Sequence, residues 1–452
     1  MKQIHLINTP SYTELLRFAI PLAISMITVA LNTLIDTWFI AKLGTTQLAA
    51  VPMAGMVFFL FWVIMMGLMR SVIAFCGREF GAGEFHKIGA ILVQYHWLAL
   101  AGLPMMLCAI QLWPLFSWLA ALSSAVDHDA WTYLYIRAWE TPFSLFIILY
   151  SSFYQSIGNS RLPMMLAIIS LCLNVILDYA LIFGNFGLPM MGVAGSALAT
   201  VIANLLVASI YLGISQRISL KKKFNLRLYQ LPNWPMLKNI LRIGLPQGIG
   251  DFTELMAWTG LLLIIGRLGE SALAANNIAL QVTHLIFLPG LALGIASASY
   301  MGRFLGANQA DHAHSATTKC LKLAVIYMGS MGIPLWFFGK TIAEQFSSDP
   351  VVVLQAALLF KIMALYQVFD GIGIVYRSTL GGAGDTFRPT ILLLGCAFLI
   401  MFPIAIMLTQ VIDLGVTGAW IGAFAYIVIL AISMWWRFKT NHWRNVDLYK
   451  AD

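Results

Sequence analysis

The chain has 452 residues, of which 60% are hydrophobic and only 10% charged, and its mean hydropathy is +0.83. Soluble domains carry about 25% charged residues and roughly 45–50% apolar ones, so this balance excludes a soluble globular domain and predicts an all-α polytopic membrane protein. The formal net charge is +8. Most basic residues fall in short loops between apolar runs, so the charge reads as topological and not as a nucleic-acid surface.

The lead Met1–Thr9 is short and polar. The apolar run after it is too long for a signal core and lacks a small-residue cleavage site, so no cleavable signal peptide is expected. Windows of about 20 apolar residues place six spans near 15–41, 47–73, 88–112, 131–157, 162–184 and 190–216. After the polar stretch Arg217–Pro235, which contains Lys221-Lys222-Lys223 and Arg227, six more follow. They lie near 236–266, 272–300, 315–338, 353–380, 387–411 and 416–437. The expected organisation is a first lobe over 1–216, a cytoplasmic linker over 217–235 and a second lobe over 236–452.

With a cytoplasmic N-terminus, the inner loops hold Arg78, Lys87, Arg161, the Lys221–Arg227 run, Lys238, Arg303, Lys319, Lys322, Arg377, Arg388 and the Arg437–Lys450 tail. The outer turns keep only Lys42, Arg267 and Lys340, while Arg137 and Lys361 fall in the outer halves of spans 4 and 10. This asymmetry predicts that both termini are cytoplasmic; the expected location is the inner (plasma) membrane. Five scattered cysteines, Cys76, Cys108, Cys172, Cys320 and Cys396, form no C-x-x-C pair and read as small buried hydrophobes.

The two halves repeat each other. Leu16-Arg17-Phe18-Ala19-Ile20-Pro21 matches Leu241-Arg242-Ile243-Gly244-Leu245-Pro246, and at the same spacing Leu43-Gly44 matches Leu268-Gly269 and Gly77-Arg78 matches Gly302-Arg303. Gly158-Asn159-Ser160-Arg161-Leu162-Pro163 answers Gly384-Asp385-Thr386-Phe387-Arg388-Pro389 in the same order. Each half has an even number of spans, so both enter the membrane from the same side. The expected architecture is twelve transmembrane helices in two six-helix lobes related by a parallel repeat.

Acids inside spans are costly and are retained for function. Asn32 and Asp36 on span 1 lie one helical turn apart, and Asn174 and Asp178 on span 5 repeat that spacing. Each pair presents an amide oxygen and a carboxylate on one face. Hard oxygen ligands of this kind suit Na⁺, and two neighbouring carboxylates suit a shared proton. Thr200 and Asn204 on span 6 are further candidate ligands. The second lobe carries Asp251 and Glu254 on span 7 and Asp370 on span 10. Under the repeat, Glu254 corresponds to Val29, Asp370 to Ser144 and Asp36 to Leu261, so the lobes share a scaffold with different chemistry. Glu140 reads as the structural partner of Arg137 three residues before it. Asn276, Asn277, Gln281 and His284 read as interhelical glue. Pro21 and Pro246 interrupt spans 1 and 7 at matching places and are candidate conformational levers.

No Walker loop, G-x-S-x-G elbow or H-E-x-x-H is present, which argues against an ATP-driven pump or a hydrolase. The Asp36 region running into Lys42-Leu43-Gly44, Asn174 with Asp178, Gly244-Leu245-Pro246 followed by Glu254, and Asp370 leading to Gly384-Asp385-Thr386 together resemble the MATE (multidrug and toxic compound extrusion) family, its bacterial NorM-like or archaeal-like members in particular. The resemblance covers all twelve spans. It implies a two-lobed antiporter exporting cationic, amphipathic compounds in exchange for Na⁺ or H⁺. By this resemblance the first-lobe ion site maps onto Asp36, Asn174, Asp178 and Thr200, the second-lobe acids onto Glu254 and Asp370, and either lobe can hold the coupling step. The expected partners are small organic cations and membrane lipid, without nucleic acid, with no cofactor beyond the coupling ion, in a monomer. The alternative is a flippase for lipid-linked saccharides or other lipids, for which Arg and Lys, not acids, are expected to line the cavity.

Overall fold

The computed structural model describes residues 8–226 and 229–449; Arg227 and Lys450, counted above among the inner basic residues, lie outside them. Among the described residues every regular element is helical. The first half comprises α1 (Tyr12–Ala41), α2 (Thr45–Ala82), α3 (Phe85–Leu119), α4 (Ser124–Ala138), α5 (Thr141–Ser156), α6 (Arg161–Phe183) and α7 (Gly192–Ser215). A short helix, α8 (Ile218–Phe224), follows. The second half comprises α9 (Trp234–Gly266), α10 (Glu270–Gly306), α11 (Ala310–Glu344), α12 (Pro350–Ala383), α13 (Phe387–Val411) and α14 (Gly415–Lys439).

Eleven of these helices are each long and apolar enough to cross a membrane. The remaining expected span is divided between α4 and α5, which agrees with the twelve-helix reading. The division has a local cause. Pro142 sits in the first turn of α5, where its missing N–H costs nothing, and at the end of α4 the Trp139 and Glu140 amides turn back to the Ile136 and Arg137 carbonyls at 3.2 and 3.0 Å. The Thr141 hydroxyl caps the end of α4 by donating to the Ala138 carbonyl at 2.7 Å.

Helix starts follow capping chemistry. At α1 the Ser11 amide donates to Glu14 Oε2 (2.7 Å) and the Glu14 amide donates to Ser11 Oγ (3.2 Å), a reciprocal capping box. At α12 the Val351 amide donates to Asp349 Oδ1 at 2.8 Å, with Pro350 at the first helical position. Gly44 and Gly269, paired by the repeat, both take positive φ (141° and 108°) at the starts of α2 and α10. The same glycine-requiring turn is therefore built twice.

The chain forms two compact units, one of residues 1–23 and 249–448, the other of 24–248 and 449–452. Their boundaries fall inside α1 and α9, just after Pro21 and Pro246, while the 217–235 segment lies wholly within the second unit. The reason is visible in α9. A Cβ on Gly248 would stand 2.2 Å from the Ile64 carbonyl oxygen, and one on Gly244 would stand 2.3 Å from Leu68. The small-x-x-x-small face thus lets the start of α9 lie directly on the α2 backbone. Ala19 and Ala23 hold the corresponding places on α1. There Leu15 and Leu22 are buried, and Phe18 meets Tyr300 edge to face at 6.0 Å in the first unit.

The linker is not a loose tether. Lys223 lies over the rings of Phe80, Phe85 and Phe224 at 5.7, 5.1 and 5.1 Å, a set of cation–π contacts. Farther along, the Asn233 amide donates to Gln94 Oε1 at 2.7 Å and Trp97 Nε1 donates to the Gln230 carbonyl at 3.0 Å. The cysteine expectation needs correction. Cys76, Cys320 and Cys396 are buried, but Cys108 on α3 and Cys172 on α6 are exposed.

Candidate functional site

The second unit brings Asn32, Asp36, Asn174, Asp178 and Thr200 together. Asn32 Nδ2 donates to Asp36 Oδ2 at 3.2 Å across one turn of α1. One turn beyond Asp36, Phe39 meets Phe183 of α6 edge to face at 5.9 Å, and Ile40 and Ile182 are buried beside them, which fixes α1 against α6. On α6, Asn174 and Asp178 are 2% and 0% exposed, so neither relies on water. The carboxylates of Asp36 and Asp178 are within side-chain hydrogen-bonding reach of each other.

Asn174 stands at the centre of the group. Its amide nitrogen lies 2.7 Å from Asp36 Oδ1, 3.0 Å from Asn32 Oδ1 and 3.1 Å from Asp178 Oδ2, so its NH₂ donates to the carboxylates. Its oxygen takes the side toward the Thr200 hydroxyl. Asp178 Oδ1 is buried without a hydrogen-bond partner, a state that a shared proton or a cation relieves. Among the described residues, no three His, Cys, Asp or Glu gather as a metal site. The donor set here is instead two carboxylates, amide oxygen and hydroxyl.

Sequence reading missed a neighbour of this group. Arg137 on α4 lies within electrostatic reach of both Asp36 and Asp178. It donates from Nε to Glu140 at 3.2 Å, as expected from their spacing, and from Nη1 to the Tyr133 hydroxyl at 2.6 Å. Asn204, by contrast, is joined to the cluster by no hydrogen bond among the described residues.

In the first unit, Asp251 and Glu254 are three residues apart on α9 and share a face. Both are held by Arg377, whose Nη2 donates to Asp251 Oδ1 at 2.5 Å and whose Nη1 donates to Glu254 Oε2. This corrects the reading of Arg377 as an inner-loop residue. It belongs to α12, where its guanidinium finds carboxylates 123 and 126 residues away in sequence. Asp370, two turns earlier on α12, lies within electrostatic reach of Glu254. Its position relative to Arg377 was a usable signal, since residues seven apart share a helix face. Asp385 pairs with Arg437 through contacts of 2.7 and 3.1 Å, a structural role. Asn276 accepts from Trp420 Nε1 at 3.0 Å, the expected interhelical glue. Pro21 and Pro246 both lie inside continuous helices.

Comparison with known proteins agrees with this architecture. The MatE family model matches residues 21–180 and 249–407, one stretch in each repeat. The chain is 27% identical over 442 residues to a probable multidrug resistance protein NorM of Thermotoga maritima, covering 95% of this chain and 92% of that one. To the NorM protein of Aromatoleum aromaticum it is 30% identical over 368 residues, 79% of this chain and 77% of that one. Among solved structures, a MATE protein in the straight conformation matches with a TM-score of 0.86 at 21% identity, over 99% of this chain and 100% of that one. The eukaryotic MATE transporter AtDTX14 matches with a TM-score of 0.84 at 18% identity, over 96% of each. The chain is a multi-pass membrane protein that belongs to the MATE family, a family of transporters and not of enzymes.

Proposed function

We propose that the protein is a secondary active antiporter that exports cationic, amphipathic organic compounds in exchange for Na⁺ or H⁺ by alternating access. The observation that carries this reading is the Asp36–Asp178 pair with Asn174 between them, in which Asp178 keeps a buried oxygen without a hydrogen-bond partner. The relatives that are named multidrug resistance proteins support an organic compound as the cargo.

In this reading the coupling ion is a second substrate. Its arrival between Asp36 and Asp178 neutralises the pair, to which the Asn174 amide donates. Pro21 lies four helical turns before Asp36 and removes one backbone hydrogen bond from α1, so it is the place where α1 bends as the acids load. The acids of the second lobe, Glu254 and Asp370 with Asp251 beside them, attract the organic cation. A membrane potential supplies about 2.3 kcal/mol per charge per 100 mV, enough to drive the ion inward. The protein acts as a monomer in the inner (plasma) membrane with both termini in the cytoplasm, uses no cofactor beyond Na⁺ or H⁺, and has no nucleic-acid partner. Arg137 and Arg377, the arginines beside the two acidic groups, are each held by carboxylates, a balance that favours a cationic cargo over a lipid pyrophosphate.

The test is ethidium efflux from proteoliposomes with Na⁺ and pH gradients imposed separately. One gradient should drive efflux, and Asp36→Asn should abolish it while the protein remains folded in the membrane. Wild-type efflux in that variant, or efflux driven by neither gradient, overturns the reading.

A further inference from the structure

The geometry points to Arg377 as a tethered competitor: its guanidinium occupies the carboxylates of Asp251 and Glu254 and must leave them before a cation can load the second lobe. This rests on the reading that the second-lobe acids attract the organic cation.

The arrangement is that of a bound ligand on a leash. A guanidinium presents parallel N–H donors in a fixed fork. Asp251 and Glu254, three residues apart on α9, receive one nitrogen each. Gly250 lies beside the fork, where a Cβ would make ordinary contact with Arg377 Nη2 at 3.6 Å and press on Thr390 Oγ1 at 3.2 Å. A cation approaching Glu254 therefore meets a carboxylate already neutralised, and loading becomes an exchange of one cation for another.

A purely structural ion pair looks different in the same unit. The side chains of Asp385 and Arg437 are 7% and 18% exposed, sealed against exchange. Those of Glu254 and Arg377 are 33% and 25% exposed, so another cation can reach the pair from outside. Removing a partner from a buried charge is costly, so the displaced guanidinium needs a new acceptor. Asp370, two turns back on the same face of α12, is the acid of this group to which no Arg377 bond runs among the described residues. The exchange thus links cation loading at Glu254 to a shift of the Arg377 side chain along its own helix.

The experiment uses full-length protein purified in detergent, with methylguanidinium as the probe. Arg377→Met keeps the aliphatic stem and removes the fork. Its Kd for methylguanidinium should fall at least tenfold below that of the wild type, and added methylguanidinium should raise its Tm. Adding Glu254→Gln in the same chain should remove both gains. A folded Arg377→Met protein that binds the probe no better than wild type overturns the proposal. A second measurement needs no variant: saturating ethidium should raise phenylglyoxal modification of Arg377 in the wild type several-fold, read by mass spectrometry, and unchanged modification at saturation overturns the proposal. Failure of the underlying reading is separate. It shows as full ethidium efflux in the single variant Glu254→Gln, whatever Arg377 does.

Discussion

The two acidic groups occupy a duplicated scaffold and handle their charge in opposite ways. Asp36 and Asp178 face each other with an amide between them, and their nearest guanidinium, Arg137, is engaged by Glu140 and Tyr133. Asp251 and Glu254 are instead gripped directly by Arg377. On the proposed reading, the first group takes a small ion among its oxygens, and the second, already holding a guanidinium, exchanges one cation for another. The repeat supplies matching helices, and acids at non-equivalent positions give the two groups different surroundings.

That contrast can be broken most sharply at Asp36. Asp36→Asn should reduce ion-driven efflux to background in proteoliposomes, whereas Glu254→Gln should leave the ion dependence in place; equal loss of ion dependence in both variants would erase the distinction. Next in size, Glu254→Gln should raise KM for organic cations roughly tenfold, the effect of about 1.4 kcal/mol, measured as ethidium concentration dependence at a fixed gradient. Asn174→Leu should come third, weakening the apparent affinity for the coupling ion by several-fold, roughly what one lost oxygen ligand or hydrogen bond of about 1 kcal/mol confers. An unchanged ion titration in that variant would show that the amide is a bystander. The smallest effect is expected at Pro21→Ala, a reduction of efflux rate by a few-fold with a shifted ion dependence. Full transport with unaltered ion dependence would remove Pro21 as a lever.

Much of the fold was legible in the residues because membrane thickness fixes helix length and the repeat fixes the order of elements. Asn32, Asp36, Asn174 and Asp178 were legible for a related reason. Each pair is local to one helix, and each places polar groups where hydrocarbon is expected. The grip of Arg377 on Asp251 and Glu254 was not, because its partners are more than a hundred residues away and charge counting alone assigns an arginine near a span end to a loop. Likewise, hydropathy registers the segment 131–157 as one span, since a helix break between α4 and α5 changes hydrogen bonding without changing polarity. The docking of the linker is not legible in the sequence because a run of lysines signals sidedness, while two of the rings around Lys223, Phe80 and Phe85, come from a stretch more than a hundred residues earlier.

The unit boundaries inside α1 and α9 also set the order of assembly during synthesis. Residues 24–248 emerge as one uninterrupted stretch and contain almost all of their unit, including the linker and the opening turns of α9. Residues 12–23 are made before that stretch but pack in a unit with residues 249–448, made after it. These helical turns therefore wait for the later-made 249–448 to find their partners, and a gene split after residue 248 separates them from the fragment that completes their unit.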